Sequence, residues 1–209
     1  MLAGMRDLHN VARYGTSGPR FAERVWVDPR TVSRVVRDSR FRRPQSARVM
    51  PGDWDLHAES IDSWEKFVAW ERHWKYGVTW EATGRIESVV LRIAAEGAID
   101  GMKNASDVIR RYDELDSIYA SVRESGRLLS VREVGGDSFR GWGDILVHVG
   151  RGPELLLGRG GQHRFAMARH LGLDLVPAQL GAIHPAVIDS WAQCCIRSSE
   201  RPHPRCGNG

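Results

Sequence analysis

Apolar and polar positions along this chain change period near residue 127, from a spacing of three to four residues to short continuous runs. Upstream, Trp64, Phe67, Val68 and Trp74 form a helical stripe, with Asp62 and Glu65 as a near capping box and Gly77 as its stop. Ile86, Val89, Val90 and Ile93 predict a second helical region over 79–97. Val108, Ile109, Tyr112, Leu115, Tyr119 and Val122 predict a third, capped by Ser106 and ended by Gly126. Downstream, "LLSVREV" (128–134), "DILVHVG" (144–150) and "ELLLG" (154–158) read as strands between glycine-rich turns, and "GRGP" (150–153) predicts a hairpin of the second and third. "HRFAMARHLG" then reads as a helix closed by Gly172, and "LVPAQLGAI" (175–183) as a returning strand.

Elsewhere the pattern is weaker. "RVWVDPRTV" (24–32) predicts a short strand that Pro29 ends. Residues 37–56 have no period and carry Pro44 and Pro51, so an irregular excursion is expected. Residues 1–23 are expected to be loosely ordered and 198–209 to be a disordered tail, leaving one domain over 24–197 with a helical insertion at about 57–100. The aromatic residues of the helices are expected in the core.

Composition narrows the classes. Of 209 residues, 42% are hydrophobic and 27% charged, enough for a substantial core. Thirty Lys and Arg against 26 Asp and Glu give only +4, a mild bias for a chain that would live on duplex DNA, so DNA is a possible but not a favoured partner. Arg37, Arg40, Arg42, Arg43 and Arg48 are a local exception, expected as a solvated face. No stretch reaches the length of a membrane span and Met1 to Arg30 has no continuous apolar run, so a cytoplasmic protein with no membrane partner is expected. Cys194, Cys195 and Cys206 have neither disulfide-framework nor zinc-ligand spacing, and no metal ligands are assigned.

The chemistry concentrates in "LLLGRGGQHRFAMARHLG" (155–172). A helix that begins near Gly161 or Gln162 presents free backbone N–H groups, and preceding glycines allow an anion to approach them. Arg164 in the first turn opposes the helix dipole, a conflict that an anionic ligand would remove, and His163 can donate to the same anion. A tight glycine turn with His163 packed and Arg164 in solvent satisfies the same spacing.

The segment "LLLGRGGQHRFAMARHLGLDLVPAQL" resembles the signature of the ParB/sulfiredoxin superfamily: a strand, a Gly-Gly-x-His-Arg motif, a short alanine-rich helix, "LGL" and a "VP" strand. Gly160, Gly161, His163 and Arg164 match the sulfiredoxin form of the motif, and the similarity extends over about 106–183. The resemblance implies an α+β fold, a ParB/sulfiredoxin-like small mixed β-sheet with flanking helices, and a nucleotide-phosphate site at Gly160, Gly161, Gln162, His163 and Arg164. Its cofactor would be ATP or CTP with Mg²⁺. Gln162 stands where sulfiredoxin has its catalytic cysteine, so the thiol chemistry is not expected and the three cysteines are expected to be dispensable. No clear helix-turn-helix follows the motif, which separates the chain from ParB itself.

The resulting expectation is a kinase-like phosphotransferase that acts on a hydroxyl of a small molecule or carrier. The alternatives are a ParB-like nucleotide-binding switch or DNA-associated protein, and a catalytically silent interaction module. Phosphoryl transfer needs a base or metal ligand as well as a phosphate site. Acids beside tryptophans are the candidates: Asp53 and Asp55 in "GDWD" and Glu81 in "TWEATG", together with His163. They must then come together at the head of the motif helix, where Arg164 would bind phosphate and contribute little to the fold.

Overall fold

The computed structural model describes residues 2–152 and 154–197; the expected disordered tail lies outside the described residues. Its helices are α1 (Leu2–Tyr14), α2 (Glu65–Tyr76), α3 (Arg85–Glu96), α4 (Ala105–Ser125) and α5 (Gln162–His170). The strands are β1 (Arg24–Val27), β2 (Arg34–Val35), β3 (Glu59–Ser60), β4 (Ile145–Val149), β5 (Leu155–Leu157), β6 (Val176–Ile183) and β7 (Ile196–Arg197). All seven join one sheet in the order β3-β2-β5-β4-β6-β1-β7. The sheet is mixed, with β4 parallel to β6 and β2 parallel to β5, and antiparallel pairing elsewhere. This is a mixed α/β fold.

The central strands are buried on both faces, so they read as unbroken apolar runs rather than as an alternation. Every residue of β4, β5 and β6 is buried. Ile145, Val147 and Val149 join the main core under α2, α4 and α5. The next residues along β4 face the other way. There His148 meets Phe41 and Trp54, brought over the sheet by the irregular excursion that follows β2. Val36, Leu156 and Ala182 complete this smaller core. Helices α2 and α3 share the main core, so the helical insertion is a wall of the domain and not a lobe of its own.

The structure departs from the sequence expectation in five places. Residues 2–14, expected to be loosely ordered, form α1. Its apolar side chains do not hold it, because Met5 and Leu8 are exposed. Polar anchors do: the Asn10 amide donates to the carbonyls of Pro19 and Ala47 at 2.7 and 2.9 Å, and Asp7 accepts from Phe21 N and pairs with Arg140.

Residues 128–134 turn rather than extend. Ser130 and Glu133 cap each other's backbone N–H groups in a capping box, and Val131 N donates to the Asp144 carboxylate at 2.8 Å, so these donors are taken from any ladder. Asp62 does not cap α2; Trp64 holds that position and Asp62 pairs with Arg169 at 2.8 Å. Asn104, not Ser106, caps α4 by accepting from Asp107 N. The arginine cluster is not one solvated face, because Arg43 is tucked in, donating to Gln179 and to the Gly143 carbonyl.

Candidate functional site

The glycine turn between β5 and α5 is shaped by packing. Gly161 caps α5 at φ +71°, and a Cβ there would lie 2.7 Å from the Ile145 Cα. A Cβ on Gly158 would strike the His148 ring and the Leu146 side chain, and one on Gly160 the Arg43 guanidinium. Gly158 and Gly161 thus let the turn lie flat on β4, and Gly160 leaves room for the Arg43 guanidinium. The turn places the head of α5 at the Ile145 end of β4.

His163 and Arg164 follow in the first turn of α5, and both differ from a ligand-ready pair. The His163 ring lies 4.5 Å from that of Trp70, and its Nε2 is buried with no hydrogen-bond partner. Burial first, then the positive charges of Arg111, Lys66 and Arg85, pull its pKa down to about 3, so the imidazole is neutral. Arg164, expected to be free for phosphate, instead reaches Asp144 (Nη1 to Oδ1, 3.2 Å) and donates to the Leu129 carbonyl. Asp144 is fully buried and also binds Arg24, so Arg164 is a counter-charge that the core requires.

A large cleft of about 1910 Å³ opens beside this turn, walled by α2, α3, α4 and the head of α5. Its lining carries eight Lys and Arg side chains against the carboxylates of Glu65, Glu96 and Asp100. Five of the eight are neutralised: Arg37 by Glu59, Arg92 by Glu96, Arg111 by Glu114, Arg127 by Glu133 and Arg164 by Asp144. The other three, Lys66, Arg85 and Arg159, have no carboxylate partner among the described residues. Arg85 donates to the Tyr112 hydroxyl at 2.9 Å.

Lys66 is the most confined of the three. Its Nζ sits 3.7 Å over the Trp64 ring and donates to Gln162 Oε1, while Gln162 Nε2 donates back to the Gly158 carbonyl at 3.1 Å. Burial lowers its pKa to about 7; Arg85, Arg159 and Arg37 push the same way, against Asp100.

The acids singled out in the sequence do not join this cluster. Asp55 is buried against the far end of the β4–β5 hairpin, where it accepts from Arg151 N at 2.7 Å and from the Arg151 guanidinium. Asp53 is exposed and shares that guanidinium. Gly150 packs on Asp55 whereas Gly161 packs on Ile145, so the length of β4 separates the two sites, about 17 Å at 3.3 to 3.4 Å per residue. Glu81 is exposed in the α2–α3 connection and does not line the cleft. Of the candidates, only Gly161, Gln162, His163 and Arg164 line it.

Lys66, Arg85 and Arg159 are not among the residues that the sequence pattern singles out. Lys66 had left a signal: it sits one helical turn before the buried Trp70 and next to Phe67, a charge on an apolar face. Nothing local marks Arg85 or Arg159. Cys194 and Cys195 are half-buried, and Cys206 lies outside the described residues. Among the described residues no group of three or more His, Cys, Asp or Glu is gathered for a metal.

Fold and site together define a mixed α/β protein with a basic cleft at a helix N-terminus. No protein-family model matches the chain, and neither does any curated protein or solved structure.

Proposed function

We propose that the cleft at the head of α5 binds the phosphates of a nucleotide, ATP or CTP with Mg²⁺, and that the protein is a phosphotransferase acting on a hydroxyl of a small molecule or carrier. The observation that carries this reading is the crowding of Lys66, Arg85 and Arg159, none of them ion-paired among the described residues, beside a helix N-terminus. Like charges held together in a partly desolvated cleft repel one another, and a phosphate chain relieves that repulsion while meeting the positive end of the helix dipole. The resemblance of "GRGGQHRFAMARHLG" to the ParB/sulfiredoxin motif points to the same ligand.

Mg²⁺ would come in with the phosphates, as it commonly does. With Asp53, Asp55 and Glu81 placed elsewhere, Asp100 becomes the carboxylate best placed to take the acceptor's proton, since it lines the cleft and its charge acts on Lys66. A long polyanion such as DNA is less well served. Five of the eight cations are already paired, leaving a compact charge rather than a track.

Arg159 provides the test, because no hydrogen bond or ion pair within the described protein holds it. Arg159→Ala should melt like the wild type without ligand, yet bind ATP or CTP with Mg²⁺ about tenfold more weakly, the loss of one charge-assisted contact. Phosphate transfer to a supplied hydroxyl pool then separates a transferase from a switch. A wild-type melting temperature that moves with neither nucleotide would remove the reading.

A further inference from the structure

Lys66 and Gln162 are 96 positions apart and joined by a hydrogen bond. One belongs to the helical insertion, the other to the turn that resembles the superfamily motif. Gln162 cannot choose its orientation freely: its amide N–H donates to the Gly158 carbonyl, which turns its oxygen toward Lys66. Lys66 in turn lies across the Trp64 ring, with Trp70 beyond at 5.8 Å. The ammonium is therefore clamped at the head of α5 with no carboxylate on it.

We propose that Lys66 is a direct phosphate ligand of this cleft and that Gln162 is the positioning residue that presents it, an inference that rests on the phosphate reading above. The glutamine, which occupies the place of a nucleophile in the sulfiredoxin form of the motif, here aims a cation supplied by another part of the chain.

The surroundings give this arrangement a measurable signature. The groups facing Lys66 are Arg37 from the segment after β2, Arg85 from α3, Asp100 from the α3–α4 connection, Arg159 from the glycine turn and His163 from α5. His163 is neutral. Without an anion Lys66 titrates near 7, so about half the molecules carry its proton at neutral pH. A phosphate beside it favours the charged form, and binding takes up a proton. Above pH 7 affinity then falls, toward tenfold per pH unit.

Calorimetry with ATP and Mg²⁺ in two buffers of different ionisation enthalpy reads the proton uptake directly. The nucleotide's own titration is removed by comparison with Lys66→Arg, which keeps a charge that never leaves. The wild type should take up about half a proton more at pH 7 than Lys66→Arg, with binding retained in both. Lys66→Met should bind at least about tenfold more weakly. Gln162→Leu should weaken binding and also reduce the uptake, because an untethered Lys66 relaxes toward solvent and its ordinary pKa; a merely structural glutamine would leave the uptake unchanged. Wild-type binding with uptake equal to that of Lys66→Arg, and affinity indifferent to Lys66→Met, would overturn this inference and leave the phosphate site standing. Absence of nucleotide binding in the wild type would overturn both.

Discussion

Arg164 in the first turn of α5 and Asp144 at the entry to β4 form an ion pair at 3.2 Å, with the carboxylate fully buried. A cation in that turn opposes the helix dipole, and the contact with Asp144 is what makes the position tolerable. The pair ties the glycine turn to the segment around Val131, which donates to the same carboxylate.

Arg164→Ala should therefore destabilise the protein without any ligand. Asp144 keeps Arg24 and Val131 N but loses one charge-assisted partner, so about 1–3 kcal/mol is expected, or roughly 2–12 °C in melting temperature. Thermal and urea unfolding of the unliganded variant measure this. An unchanged midpoint would show that Arg24 alone satisfies the carboxylate.

Asp55 predicts an acid-labile contact at the opposite end of the hairpin. Burial alone would raise its pKa, but hydrogen bonds from the Arg151 guanidinium and backbone N–H outweigh that and hold it at about 2. The folded value lies below the unfolded one near 3.9, so this stabilisation is full above pH 4 and is lost as pH falls toward 2. Its size is about 2 kcal/mol. Asp55→Asn should lose it at neutral pH and flatten the pH profile below 4. If wild type and variant lose stability in parallel across that range, the pair contributes nothing.

His148 predicts a steric limit. Its Nδ1 accepts from Ala182 N at 2.9 Å, and a Cβ on Gly181 would stand 2.3 Å from that nitrogen and 2.7 Å from the Val147 carbonyl oxygen. Gly181→Ala should cost about 1–3 kcal/mol or more by overpacking, whereas Gly152→Ala, with open space around it, should be near neutral by that criterion. Burial also drives the His148 pKa down to about 3, so the folded ring stays neutral while the unfolded one titrates near 6.5. That contribution is complete above pH 6.5 and declines as pH falls toward 3. Unfolding measured from pH 7 to 4 checks the direction; stability constant over that range would contradict it.

The buried strands and the long helices were legible because their periods are local and their residues face one core. β4, β5 and β6 fall within the apolar runs that announce them, and Gly77 and Gly126 end α2 and α4 as their positions suggest. What was not legible depended on distant partners. α1 is fixed by Asn10 and Asp7 reaching residues beyond it, and 128–134 turns because Asp144 claims a donor. The same holds for the site. The motif lies at the turn that lines the cleft, but Lys66, Arg85 and Arg159 reach that cleft from three separate segments, and the tryptophan-flanked acids go elsewhere. Lys66 alone could have been found, as a charge on an apolar helical face.

The outermost strands of the sheet, β3 and β7, are two residues long. A strand that short offers a neighbouring molecule almost no ladder of free N–H and C=O groups to extend, and Glu59 on β3 is engaged with Arg37. Among the described residues, then, a strongly apolar sheet is bounded by margins that discourage edge-to-edge polymerisation.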